Sequence, residues 1–334
     1  MMHSAVACRQ AANWSKLLSN TAQNALKNET DTSYIMIAGP TASGKSQLAV
    51  DLAARLDGEV INADSMQLYA DLSILTARPS AADMQEVPHH LYGVLDGAHR
   101  ASVAEWLDLA ATAMAVVRGR GKLPIIIGGT GMYLDAAIKG IAPIPDVPKP
   151  IHDDCVALYR QIGGVAFRQR LAIHDPVVAG RLADGDSQRL IRAMGVWSAT
   201  GTPLGQWQAA PHQGALPGRA VKLAMLPPRE CLYQRIDARF DQMLQQGAMD
   251  EVRQLYQRQL DPSLPLMKAL GVSALKSVLD QSMTIDAAAY VAKRDSRHYA
   301  KRQMTWLRNN YNTQITLDKK LSESFLENIF ALIR

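Results

Sequence analysis

The chain has 334 residues, with 36 Lys+Arg against 31 Asp+Glu for a formal charge of +5, 48% hydrophobic and 20% charged content. That length predicts about two domains with cores of their own and excludes a mini-protein held by disulfides. Three scattered cysteines, Cys8, Cys155 and Cys231, with no Cys-x-x-Cys pair, argue for a reducing compartment and against structural zinc. No apolar run approaches the roughly 20 residues of a membrane helix, so a cytoplasmic protein without a membrane partner is expected.

Residues 1–33 mix Ala, Asn, Ser and Thr, with no acid before Glu29, and read as a disordered extension, a transit peptide being the alternative. Order is expected to begin at the β-rich run Tyr34–Ala38, followed by a glycine loop and apolar residues at helical spacing over Gln47–Leu56. Glu59–Ala63 reads as a second strand, and the unit as βαβ with these two strands paired in parallel. A helix over Val103–Arg118 precedes a buried strand, Lys122–Ile127, which opens into Gly128-Gly-Thr-Gly131. In an open parallel sheet the loops after Ala38, Ala63 and Ile127 should meet at one crevice. The Pro-rich stretch Ala142–Pro150 marks a boundary. Beyond it, Asp153–Ile162, Val165–Ile173, Pro176–Leu182 and Gln188–Thr200 read as short helices, with Asp175 and Ser187 as N-caps and Gly201 just past the last end. Ala220–Leu226 returns to strand, and Cys231–Gln246, Asp250–Arg258 and Ala287–Asn309 supply long helices. The expected fold is α/β: a P-loop parallel-sheet core (34–145 and 213–334) with long C-terminal helices, interrupted by a small helical insert (146–212).

Gly39-Pro40-Thr41-Ala42-Ser43-Gly44-Lys45-Ser46 matches the phosphate-loop pattern in the required strand-loop-helix context. Glycines let backbone N–H groups turn inward on phosphate oxygens, the helix start adds its dipole, Lys45 adds a full charge, and Ser46 suits Mg²⁺. The motif names a phosphate or diphosphate ligand and no reaction. Nucleotide hydrolases add a hydrophobic strand ending in Asp, whereas Ile125–Ile127 ends in Gly128-Gly129. A P-loop small-molecule kinase or nucleoside triphosphatase stays open at this point, with Asp64 as a base or metal ligand, as does a non-catalytic RNA-binding protein.

The phosphate loop together with Asp64-Ser-Met-Gln-Leu-Tyr69, Thr76-Ala-Arg-Pro79, Val87-Pro-His-His-Leu91, Gly128-Gly-Thr-Gly-Met-Tyr133, Gln188-Arg-Leu-Ile-Arg192, Arg235-Ile-Asp-Ala-Arg-Phe240 and Lys301-Arg-Gln-Met-Thr-Trp306 closely resembles the tRNA dimethylallyltransferases. The resemblance implies transfer of a dimethylallyl group from dimethylallyl diphosphate to N6 of adenosine 37 beside the anticodon, with Mg²⁺ as cofactor and the tRNA anticodon stem-loop as partner. It makes Asp64 the general base, places Thr41 and Ser46 at the donor, Thr130 at the reacting adenosine and Arg239 on the diphosphate. Ser65, Met66 and Gln67 would face the extruded base. Gln188, Arg189, Leu190, Ile191 and Arg192 would touch tRNA from the insert acting as a lid, and Lys301, Arg302, Gln303 and Arg308 from the C-terminal helix. A monomer is expected.

The +5 surplus acquires a position here. Lys293, Arg294, Arg297, Lys301, Arg302 and Arg308 stand against Asp295 in a stretch that also carries Tyr299 and Trp306. Cations for phosphates and aromatics for stacking are what an RNA surface uses, and a solvated helix with core aromatics has the same pattern. One block departs from the family: an Arg-x-x-Gly-Tyr-Arg motif is replaced by Lys268-Ala-Leu-Gly-Val272-Ser273, so strong RNA contacts are not expected there. The adjacent His89-His90 pair lacks clustered ligands and is expected to be structural.

Overall fold

The computed structural model describes residues 33–80 and 82–317; the extension expected over 1–33 lies outside them except for Ser33. Six strands form one parallel sheet: β1 (Ser33–Ala38), β2 (Gly58–Asn62), β3 (His89–His90), β4 (Leu123–Gly128), β5 (Arg219–Met225) and β6 (Ile315–Leu317), in the spatial order β3-β2-β4-β1-β5-β6. Residues Tyr34–Ala38 of β1 are buried throughout, as a strand covered on both faces requires. The expected pairing of the first two strands is corrected. β4 lies between them, with Ile35 opposite Ile125 and Val60 opposite Ile125 from the other side. A helix-long crossover fixes parallel direction but leaves adjacency open, and the Ile-rich β4 takes the centre. Its Pro124 lacks an N–H, and pairing with β1 begins only at Ile125, so the proline leaves no gap in that ladder.

Helix α1 (Lys45–Leu56) starts at Gly44 in a left-handed conformation (φ 97°) and buries Leu48, Ala49, Leu52 and Ala53 against the sheet. Helix α2 (Val103–Gly119) is capped by Ser102, whose hydroxyl accepts from the Glu105 amide. α3 (Gly131–Lys139) follows β4. After β5 come α8 (Arg229–Gln245), α9 (Ala248–Gln257), α10 (Val272–Leu279) and α11 (Ile285–Asn310). The sequence does not signal β3, β6 or α10, two of them strands of three residues or fewer whose pairing comes from long-range neighbours. α8, α9, α10 and α11 enclose a core of their own that includes Phe240, Val252, Leu266, Leu275 and Ala288.

A second compact unit runs Lys139–Ala215. It holds α4 (Lys149–Ala172), α5 (Pro176–Arg181), α6 (Ser187–Thr200) and α7 (Leu204–Ala209) around Phe167, Leu171, Leu190 and Met194. Gly163 (φ 75°, ψ 166°) breaks α4 into two segments, as expected from the sequence. Asp175 caps α5, its side chain accepting from the Val178 amide. At α6 the cap is Asp186, accepting from the Arg189 amide, and the expected Ser187 is the first helical residue. Gly201 closes α6 in a left-handed conformation.

Candidate active site

The loops after β1, β2 and β4 come together at the carboxyl edge of the sheet. Gly39 N donates to Gly128 O (3.3 Å), and Ser65 N donates to Thr130 Oγ1 (3.2 Å). The phosphate loop closes on itself through Ser43 N to Pro40 O, and Ala42 takes a left-handed conformation (φ 61°) inside it. Among the described residues the amides of Ala42, Gly44, Lys45 and Ser46 donate to no protein acceptor. Four open donors at a helix start form an anion cradle. Arg235 braces the loop from α8 through Nη1 to Ser43 O (3.3 Å).

Lys45 lies in the middle of this arrangement. Its Nζ reaches Pro40 O (3.3 Å). Burial lowers its pKa to about 8, the Asp64 carboxylate pulling it up and the Arg239 guanidinium pushing it further down. Lys45, Asp64 and Arg239 are therefore close enough to sense one another, although they come from α1, the loop after β2, and α8. Asp237 and Asp241, the helix neighbours that could have neutralised Arg239, pair instead with Arg297 (2.6 Å) and Lys293 (2.6 Å). Burial holds the Arg239 pKa below its ordinary value.

Asp64 is held by a residue that no sequence motif flagged. Asn62, fully buried at the end of β2, accepts from Asp64 N on Oδ1 (2.8 Å) and donates through Nδ2 to Asp64 O (3.0 Å) and Leu91 O (3.0 Å). Its own carbonyl accepts from Trp106 Nε1 (2.9 Å), and Trp106 stacks on Tyr133 at 4.5 Å. The backbone of Asp64 is thus fixed from both sides, while Asp64 Oδ1 accepts from Met66 N (3.0 Å). An Asn two residues before the acid is the signal, legible only once β2 is known to end there.

Several residues expected to meet RNA have other employment. Gln303 is buried: Oε1 accepts from Thr41 N (2.9 Å) and Nε2 donates to Gly129 O (2.9 Å), so it clamps the phosphate loop to the glycine loop. Both ends of its amide are engaged within the protein. Gln67 donates from Nε2 to Thr76 O (2.8 Å) and Ala77 O (3.0 Å), leaving only its oxygen for a base edge. Met66 packs against the core formed by α8, α9, α10 and α11, and Leu190 is fully buried in the helical unit with Ile191 packed beside it. Gln188, Arg189 and Arg192 do face solvent; Arg189 pairs with Asp186 (2.9 Å) and Arg192 reaches Pro145 O (3.4 Å).

The basic stretch on α11 is partly neutralised. Lys293 and Arg297 are the partners of Asp241 and Asp237, and Arg294 pairs with Asp295 (2.9 Å). Lys301, Arg302 and Arg308 are exposed and have no carboxylate partner among the described residues. The aromatics expected to stack on bases pack inward. A Cβ at Gly131 would collide with the Trp306 ring, so this glycine lets α11 lie directly on the loop. Tyr299 bonds to Thr130 and Gln303, and burial, then the Asp64 charge, push its phenol up to about 12. In the His pair, His90 Nε2 meets Glu59 Oε2 (2.6 Å) and His89 Nδ1 meets Val87 O (2.6 Å), both structural contacts.

Ser46 is exposed on the first turn of α1, one residue from Lys45. A hydroxyl beside a phosphate cradle fits Mg²⁺, which keeps several waters and takes much of its shell from substrate phosphates. No group of three or more His, Cys, Asp or Glu among the described residues could hold a metal without such a substrate. No helix among them is long and apolar enough to cross a membrane.

Family models described as IPP transferase and isopentenyl transferase match residues 67–310 and 32–93. A tRNA dimethylallyltransferase of Rhodospirillum centenum is 50% identical over 82% of this chain and 88% of its own length, and that of Paramagnetospirillum magneticum 46% identical over 91% and 97%. Among solved structures, the tRNA isopentenylpyrophosphate transferase of Bacillus halodurans is 34% identical, covers 91% of this chain and 96% of its own, and superposes with a TM-score of 0.63. A eukaryotic dimethylallyltransferase acting on tRNA is 26% identical over 91% and 78%, with a TM-score of 0.76. On fold, motif order and identity along nearly the whole described length, the chain belongs to the IPP transferase family, the tRNA dimethylallyltransferases.

Proposed function

We propose that this chain transfers the dimethylallyl group of dimethylallyl diphosphate to N6 of adenosine 37 of tRNA, releasing diphosphate, in the cytoplasm and as a monomer. The observation that carries this reading is the convergence of an open amide cradle and Lys45 with Asp64 at one crevice. The four free amides, Lys45 and Arg239 bind the diphosphate and stabilise the charge that builds on it as the allylic C–O bond breaks. Mg²⁺ held by Ser46 and the phosphate oxygens would add a further positive charge at the leaving group. Asp64, anchored by Asn62, accepts the proton that N6 loses as its bond to carbon forms. Thr130, bonded to Ser65 and Tyr299, holds the acceptor side of the site. β4 ends in Gly128-Gly129 with no acid, which disfavours a P-loop kinase or nucleoside triphosphatase. Lys301, Arg302 and Arg308 on α11, and Gln188, Arg189 and Arg192 on α6, offer side chains to tRNA phosphates.

Incubation of purified protein with tRNA and either dimethylallyl diphosphate or ATP, followed by nucleoside mass analysis, tests the reading. Prenylated adenosine is expected from the first mixture, and Asp64→Ala should abolish it while leaving tRNA bound. ATP turnover without prenylated adenosine would refute the proposal, and near-normal transfer by Asp64→Ala would refute the base assignment.

A further inference from the structure

Tyr299, Gln303 and Trp306 fall at i, i+4 and i+7 on α11, one stripe of a helix whose exposed residues include Lys301, Arg302 and Arg308. The stripe lies on the loops of the candidate active site. Trp306 lies against Gly131, Gln303 spans Thr41 N and Gly129 O, and the Tyr299 phenol meets Thr130 and Gln303. We propose that Tyr299 is a positioning residue for the transfer: its phenol oxygen accepts a hydrogen bond from the Thr130 hydroxyl and so leaves Thr130 with one free lone pair to hold the acceptor N6–H beside Asp64. The inference rests on the tRNA-transferase reading above and gives that site a residue no motif assigns.

A threonine hydroxyl has one hydrogen to give and two lone pairs to fill. Ser65 N fills one lone pair of Thr130 Oγ1 (3.2 Å). The hydrogen has two acceptors within reach, Ser65 Oγ, at 3.5 Å the outer limit of a hydrogen bond, and the Tyr299 phenol. Hydrogen bonds from Thr130 and from Gln303 both favour the ionised phenol, which is the effect of donors aimed at its oxygen. For Gln303 the direction is fixed independently. Its Oε1 accepts from Thr41 N and one Nε2 hydrogen goes to Gly129 O, so the second Nε2 hydrogen is what it offers Tyr299. Burial and the Asp64 charge outweigh both donors and push the phenol up to about 12, so it stays neutral at physiological pH. With its hydrogen committed to Tyr299, Thr130 meets a ligand only as an acceptor.

N6 of adenosine carries two hydrogens. Asp64 accepts the one that is lost, and an acceptor on the other turns the nitrogen lone pair toward the allylic carbon. A Thr130 hydroxyl free to rotate would instead donate to N6 and occupy the lone pair that attacks.

Tyr299→Phe deletes the phenol oxygen and keeps the ring. The Arg302 guanidinium lies 5.6 Å from the ring centroid, a cation–π contact that Phe preserves, so α11 retains its packing and its outward cation. Single-turnover transfer from dimethylallyl diphosphate to tRNA is measured for wild type, Tyr299→Phe, Thr130→Val and the double variant, together with equilibrium affinities for tRNA and donor. Tyr299→Phe is expected to slow the transfer step about tenfold while both affinities stay within about twofold of wild type. In the Thr130→Val background the same substitution is expected to cost about twofold or less, because the hydroxyl it orients is gone. A normal transfer rate in Tyr299→Phe overturns the proposal. So does a loss confined to tRNA or donor affinity, which would mark a surface or packing role, and so does an undiminished loss in the Thr130→Val background, which would show the phenol acting without Thr130. Absence of prenylated adenosine from the wild-type protein would overturn the functional reading and this proposal with it.

Discussion

Lys45 offers the most exacting test of the diphosphate site. Burial lowers its pKa from the ordinary 10.5 to about 8, with Asp64 opposing the shift and Arg239 reinforcing it. A depression of that size makes the charged form costly by about 3 kcal/mol in the empty loop. A bound diphosphate supplies the opposite charge and lifts the pKa again. At neutral pH the ammonium is already present and binding takes up no proton. Above about pH 8 the free protein has lost it and binding must recover it, so affinity for dimethylallyl diphosphate should fall toward tenfold per pH unit, or about tenfold by pH 9. The ligand is not the source, because a terminal phosphate completes its second ionisation well below this range, near pH 6. Isothermal calorimetry in two buffers of different ionisation enthalpy should find close to one proton taken up per ligand at about pH 9 and none near neutrality. Arg239→Gln removes one lowering influence and should move the break to higher pH. For stability the sign is opposite to that for binding: between about 8 and 10.5 the unfolded chain binds the proton and the folded one does not, so the empty protein gains stability as pH rises through this window. Flat affinity with no proton uptake from about pH 7 to 9.5 would refute the reasoning.

Asn62→Ala deletes three side-chain hydrogen bonds and leaves buried backbone groups unpaired, which should cost about 3 kcal/mol of stability. At a temperature where the variant is folded, kcat should fall far more than tRNA affinity; a normal kcat would remove Asn62 from the positioning of Asp64. Gln303→Glu keeps an acceptor for Thr41 N but sets a carboxylate oxygen against Gly129 O and adds negative charge beside the diphosphate, so donor affinity should drop about tenfold with tRNA affinity nearly intact. The reverse pattern would return Gln303 to the RNA surface. Lys301→Gln/Arg302→Gln should reduce the magnitude of the slope of log K for tRNA against log salt by about 1.5, and an unchanged slope would exclude these two cations from the interface.

The phosphate loop, the three strand-end loops and the separate helical unit are legible in the sequence because each rests on local order: a motif between strand and helix, apolar runs ending in Gly or Asp, a proline-rich break. The placement of β4 between β1 and β2 is not, because a crossover long enough for a helix can land at either neighbour. Residue roles divide along the same line. Lys45 and Asp64 declare their chemistry by type and motif, whereas Gln303 and Gln67 look like polar surface groups and are recognised as clamps only when α11 and the loop Ser73–Ser80 fold onto them. The opening surplus of +5 is likewise redistributed by packing. α8 supplies Asp237 and Asp241 to Arg297 and Lys293, leaving Lys301, Arg302 and Arg308 exposed at the far end of α11 and Arg239 facing the crevice. Sequence counts charges along a line, and ion pairing depends on distances between elements far apart on that line, which the tertiary structure alone decides.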